Sequence, residues 1–134
     1  MKIIDRKLCA ELLEKAAASP RRRTYCNLHE TLEDPIQRLL VAAMPDTVFK
    51  PHRHPGKWEL CTALEGEFTV YCYDDAGHIL SATRIGGDVH TVELPPGVWH
   101  NTVAHVPGVF LEVKSGPFRP TPPEDFAPFD GVTP

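Results

Sequence analysis

The chain has 134 residues, of which 42% are hydrophobic, and a formal net charge of −4 at pH 7. That length fits one domain with one core, and a domain this small gains from a bound metal or a partner subunit. The negative balance excludes a broad attraction to nucleic acid or anionic lipid, and no apolar run reaches the ~18–20 residues of a membrane span. No charged-then-apolar signal segment opens the chain, so the expected location is the cytoplasm.

The first predicted element is a helix over residues 5–18. Leu8, Leu12 and Leu13 recur at helical spacing, Asp5 can cap the start, and Ser19-Pro20 stops it. Short strands follow, separated by turn residues. Residues 24–29 and 36–43 flank Glu33-Asp34-Pro35, and 68–73 and 78–85 flank the hairpin loop Asp74-Asp75-Ala76-Gly77. Strands over 89–94, 99–104 and 109–114 are divided by Pro95-Pro96-Gly97 and Pro107-Gly108. So many short strands predict a β-sandwich or barrel, and closure would deal with their exposed edges. From Gly116 the repeated prolines exclude regular helix or central strand. Phe118, Phe126 and Phe129 are anchors that would lay this tail along the barrel or a neighbouring subunit; a free tail is the alternative. The expected organisation is one domain: an N-terminal helix over 1–19, a barrel over 24–115 and an extended tail over 116–134.

Cys9, Cys26, Cys61 and Cys72 form no Cys-x-x-Cys pair, which excludes a zinc knuckle or a thioredoxin-type motif. Scattered free thiols suit a reducing compartment.

The chemistry concentrates in Pro51-His52-Arg53-His54-Pro55-Gly56-Lys57-Trp58-Glu59. Histidines at i and i+2 on a strand share a face, about 6.6 Å apart along the chain. Glu59 has an odd offset from them, but Pro55-Gly56 interrupts the strand and lets the parity reset. His100 follows the turn at 95–97 and opens a new strand that can reach the same site. Three neutral imidazoles and one carboxylate suit one divalent transition metal (Fe, Mn, Ni, Co or Zn) and disfavour Ca²⁺ or Mg²⁺. The all-thiolate structural zinc pattern is absent, so a centre with open positions for water or a small ligand is expected.

These two segments resemble the paired motifs of the cupin superfamily. The first matches at His52, His54, Glu59 and Gly66, with Asp46 where a glycine is usual. The second matches at Pro95, Gly97 and His100, with Ala104 where an asparagine is usual and Asn101 close by. A wider similarity, to the WbuC-type cupin-fold metalloproteins, runs through Ser19-Pro20-Arg21-Arg22-Arg23, Asn27-Leu28-His29, Gln37-Arg38, the 51–59 segment, Glu112-x-Lys114-x-Gly116-Pro117 and Asp125-Phe126-Ala127-Pro128. The resemblance implies a mainly β fold, a small cupin (double-stranded β-helix, or jelly-roll) barrel with a bound metal. It assigns no reaction.

Other residues are candidates for contact with a substrate. His29 could line the cavity. Arg21 and Arg23 could belong to an anion clamp at the barrel mouth, or the arginine run could be a solvated turn. Glu112 and Lys114 share a strand face that meets either solvent or the cavity. Gln37 and Arg38 point to opposite faces, so at most one looks inward. Cys61, at i+2 from Glu59, is either a wall residue or a thiol near the metal. A small-molecule enzyme of dioxygenase, isomerase or lyase type acting on a carbohydrate or organic acid is one reading. A non-catalytic module that senses a small ligand or holds metal is the other. A small-molecule or anionic ligand at the metal and a homodimer are the expected partners.

Overall fold

The computed structural model describes residues 1–134. Helix α1 (Arg6–Ala18) starts where Asp5 accepts a hydrogen bond from the Leu8 N–H at 2.9 Å. Its buried stripe of Cys9, Leu12 and Ala16 packs on Leu40, Ala42 and Val109. Eight strands follow: β1 (Arg23–Asn27), β2 (Ile36–Ala43), β3 (Glu59–Glu65), β4 (Phe68–Tyr73), β5 (Ile79–Ile85), β6 (Thr91–Leu94), β7 (Trp99–Ala104) and β8 (Gly108–Ser115). They form a five-stranded sheet in the order β1-β2-β8-β3-β6 and a three-stranded sheet in the order β5-β4-β7, with every pairing antiparallel. This is the expected mainly β barrel with an N-terminal helix.

Side-chain alternation explains how the larger sheet serves two layers. On β2, Leu40 and Ala42 meet the helix, while Gln37, Leu39 and Val41 turn inward. On β8, Val109 and Leu111 meet the helix, while Phe110, Glu112 and Lys114 turn inward. The inner face is graded along the barrel. One end is a dry core in which Val41, Ala43, Cys61 and Phe110 pack against Phe68, Val70, Ile85 and Ala104. The other end carries polar residues around an open cavity.

Most strand ends shift by one or two residues from expectation, and the histidine segment differs more. Residues 51–54 do not form a strand; His52 makes only isolated bridges, to His100 and Phe126. Pro51 and Pro55 lack the N–H a ladder requires. The strand that carries Glu59 instead begins at Glu59 itself and pairs with β8 and β6. The segment after 115 lies across the open end. Phe118 N–H donates to Leu32 O at 2.7 Å, Arg53 N–H to Asp125 O at 3.0 Å and Ala127 N–H to Pro51 O at 2.9 Å. One 3-10 turn (Pro123–Asp125) interrupts it.

Gly66 makes the β3–β4 turn with φ +76°, where an added Cβ would lie 2.8 Å from Gly108 Cα and 2.8 Å from Pro107 O. Both obstacles are backbone and cannot swing aside. Gly66→Ala is therefore expected to destabilise the fold by about 2–4 kcal/mol, combining left-handed strain with overpacking. A urea-melt change under about 0.5 kcal/mol would contradict this.

Candidate metal centre

His52 and His100 are joined by reciprocal backbone hydrogen bonds, 3.0 Å from His52 N–H to His100 O and 2.9 Å in return. That pairing puts both imidazoles on one side, with ring centroids 4.6 Å apart. His54 follows two residues later in the proline-bounded loop, its ring 5.0 Å from His52 and 5.7 Å from His100. The loop is tied to the turn before β7, because Gly97 N–H donates to His54 O at 3.0 Å. Gly97 has φ +81°, a conformation that favours glycine, and so turns the chain into His100. Glu59 enters from β3 with Oε2 3.1 Å from His54 Nε2 and Oε1 3.7 Å from His100 Nε2. One ligand atom from each of the four residues lies within 4.8 Å of the others. Donors around one ion at about 2.0–2.2 Å stand roughly 3–4 Å apart, so a small contraction would close the set on a metal.

The hydrogen bonds also choose the tautomers. His52 Nδ1 lies 3.0 Å from Lys50 O and His100 Nδ1 2.9 Å from Val98 O. A carbonyl only accepts, so each Nδ1 carries the proton and each Nε2 presents a lone pair. His100 Nε2 is buried with no hydrogen-bond partner, and the buried His54 Nε2 faces Glu59 Oε2 at 3.1 Å. Burial pushes His52 down to about 4, aided by His100, and pushes His100 down as well, so both are neutral at pH 7. Burial would raise Glu59, but the hydrogen bond from His54 and the Lys114 charge overcome it and hold the carboxylate ionised. Neutral imidazoles and an ionised carboxylate are the states in which these groups bind a metal.

A layer of charge supports the carboxylate. Glu59 pairs in register with Lys114, and Lys114 with Gln37. Lys114 Nζ lies 3.5 Å from Glu59 Oε2 and forms an ion pair with Glu112. Burial disfavours the ammonium, yet Glu112 and Glu59 together raise Lys114 above its usual range. Cys61 Sγ lies 3.5 Å from Glu59 Oε1, and burial followed by the Glu59 charge keeps its thiol protonated, so it donates to the carboxylate.

Three of the four, His52, Glu59 and His100, line a cavity of about 570 Å³ floored by Leu39, Val41, Phe49 and Phe110. His29, Gln37, Glu112, Lys114 and Arg21 line it. Cys61 lies beneath Glu59 in the apolar core instead. The arginine run divides. Arg22 pairs with Asp46, while Arg23 donates to Val48 O at 2.8 Å and stacks 4.7 Å over Phe49. Arg38 faces out toward Asp34.

The roles of two residues at this end escaped the sequence reading. Arg53 turns away between the two histidines, pairs with Asp125 at 3.0 Å and lies 4.3 Å over Trp99. The i+1 parity of Arg53 was the available signal. Asn101 accepts from Tyr73 Oη at 2.7 Å and donates to Phe49 O and Val132 O at 3.1 and 2.8 Å, joining β7 to the tail. Strand parity places it opposite His100 and gives no sign of that junction.

The fold is shared with solved cupins. An RmlC-like cupin from Shewanella frigidimarina superposes with TM-score 0.55 at 21% identity, over 73% of this chain and 78% of that one. KdgF from Halomonas sp. gives 0.59 at 19% identity, over 75% and 84%. Oxalate oxidase in complex with the substrate analogue glycolate gives 0.59 at 19%, over 76% of this chain and 55% of that one. No curated protein matches in sequence. This is a cupin-fold protein by architecture. Within that class the chain belongs to the family described as Domain of unknown function (DUF6016), whose profile matches residues 4–85. No helix is long and apolar enough to cross a membrane.

Proposed function

We propose that this protein is a mononuclear metal-binding cupin in which His52, His54, Glu59 and His100 hold one divalent transition metal (Fe, Mn, Ni, Co or Zn), with a small anionic molecule as its substrate. The observation that carries the reading is the convergence of the buried His54 and His100 Nε2 atoms on the ionised Glu59 carboxylate, with His100 Nε2 left without a hydrogen-bond partner. An unsatisfied buried acceptor costs about 1–3 kcal/mol, which an ion would offset. The donor set of three imidazoles and one carboxylate is a transition-metal set.

Charge favours an anionic substrate. Glu59 and Glu112 against Lys114 leave at most one net negative charge among these residues, and a divalent ion makes the sum positive. When bound, the metal would supply Lewis-acid polarisation of a coordinated oxygen. Lys114 and Cys61 hold Glu59 in place, and Phe49 and Phe110 keep the floor dry. An organic acid as substrate is supported by the fold neighbour oxalate oxidase, solved with glycolate. Chemistry of dioxygenase, isomerase or lyase type is compatible with this arrangement. The similarity to WbuC-type metalloproteins, a homodimeric state and a cytoplasmic location complete the reading.

Elemental analysis of anaerobically purified protein tests the metal. About one transition-metal ion per chain is expected in wild type and none in His54→Ala. Equal metal in both, or none in either, removes the assignment.

A further inference from the structure

We infer that His29 forms a second anchor point in the cavity, which selects an acid carrying a neutral carbonyl-type oxygen remote from its metal-binding head. This inference rests on the proposed metal centre and names the class of substrate it takes. His29 is 6% exposed, lines the cavity, and has a buried Nε2 without any hydrogen-bond partner. Its tautomer follows from its neighbours. His29 Nδ1 lies 3.0 Å from Arg38 N and 2.9 Å from Arg38 O; the N–H can only donate and has Nδ1 as its partner, whereas Arg38 O already accepts from the Leu28 N–H at 2.8 Å. Nδ1 is therefore the acceptor, and the proton resides on Nε2. A buried N–H donor with no partner faces the cavity.

Its position relative to the metal centre is set by register. Asn27 opposes Leu39 in the β1–β2 pair, and the Leu28–Arg38 bond continues that register, which brings His29 beside Gln37. Gln37 opposes Lys114, and Lys114 opposes Glu59. His29, Gln37, Lys114 and Glu59 thus form one row across the sheet. Three strand spacings of about 4.8 Å separate the ends by roughly 14 Å. Subtracting a metal–oxygen bond and a hydrogen bond leaves on the order of 8–10 Å to be spanned. A two-carbon acid cannot reach that far; a chain with about six carbons between its terminal oxygens can.

The surroundings determine the type of oxygen. Gln37 spends its amide N–H groups on Asp34 O and Leu32 O, at 2.8 and 3.3 Å. Leu32 and Phe118 supply apolar wall. Lys114 is already committed to Glu112 and Glu59. Arg21, the other cation on the cavity wall, precedes β1 at the end of the strand away from His29, so a carboxylate beside His29 would be desolvated without a cation next to it, whereas a carbonyl oxygen only accepts and matches one N–H donor.

The test is calorimetric titration of Co²⁺-loaded protein with 6-oxoheptanoate and heptanoate, which differ at one carbonyl. The oxo acid is expected to bind roughly tenfold more tightly, because the alkanoate leaves the donor buried and unpaired. The shorter 4-oxopentanoate should show no such gain over pentanoate. His29→Asn keeps an acceptor for the Arg38 N–H but removes the Nε2 donor, and should erase the preference. His29→Gln places an amide N–H near the Nε2 position and should retain part of it. Metal content, acetate affinity and melting temperature should stay near wild type in both variants. Equal affinities in wild type, a preference that survives His29→Asn, or tighter binding of the dicarboxylate pimelate would each overturn the inference while leaving the metal centre standing. Protein that takes up no Co²⁺ would instead remove the metal reading, and this inference with it.

Discussion

His100→Ala is expected to lose stoichiometric metal and, with it, the rise in melting temperature that metal confers on the wild type. His100 is 4% exposed, and its backbone bonds to His52 do not involve the side chain, so the bridge between the two segments survives truncation. What disappears is one of four converging donors, the one 3.7 Å from Glu59 Oε1. Binding to the folded state alone stabilises by about 4 kcal/mol when free metal is a thousandfold above its dissociation constant. In a domain of this size that corresponds to roughly 10–20 °C. Scanning calorimetry of metal-free and metal-loaded forms separates this effect from the cost of truncation, which both forms share. A variant that still gains the full metal-dependent shift would show that His100 is not a ligand.

Lys114→Met should destabilise the metal-free protein by about 3–5 kcal/mol, because it leaves two buried carboxylates without their shared cation. The side chains of Lys114, Glu112 and Glu59 are 18%, 13% and 6% exposed, too little for water to screen the loss. Methionine retains much of the aliphatic stem, so cavity formation contributes little. Metal should reduce the penalty, since a divalent ion beside Glu59 takes over part of the neutralisation. Adding Glu112→Gln should recover a further share by removing one of the stranded charges. Urea melts of the single and double variants check both statements. A single-variant loss below 1 kcal/mol would mean that the cluster is solvated in solution.

The split of the arginine run shows why composition alone does not locate a binding surface. Arg21, Arg22 and Arg23 are consecutive and chemically identical, yet one lines the cavity, one pairs with Asp46 and one stacks on Phe49. Arg22 has φ +58°, which redirects the chain between its neighbours. No pattern in the run announces that bend. Cys61 is a comparable case. Its parity with Glu59 is real, but the barrel narrows to its apolar core at that level, so the thiol supports the carboxylate and does not reach the cavity.

Local patterns determined several things outright. Helical spacing and the Asp5 cap specified α1, turn residues delimited most strands, and Gly66 and Gly97 marked turns that their backbone freedom permits. The His-x-His, Glu and His spacing selected four residues whose ligand atoms the fold gathers within 4.8 Å. Tertiary structure decided the rest, because strand parity separates two faces without saying which one is enclosed. Both faces of β2 and β8 are covered, one by α1 and the other by the second sheet. Only that layering turns Glu112, Lys114 and Gln37 inward, and only the β1–β2–β8–β3 register sets His29 in line with Glu59.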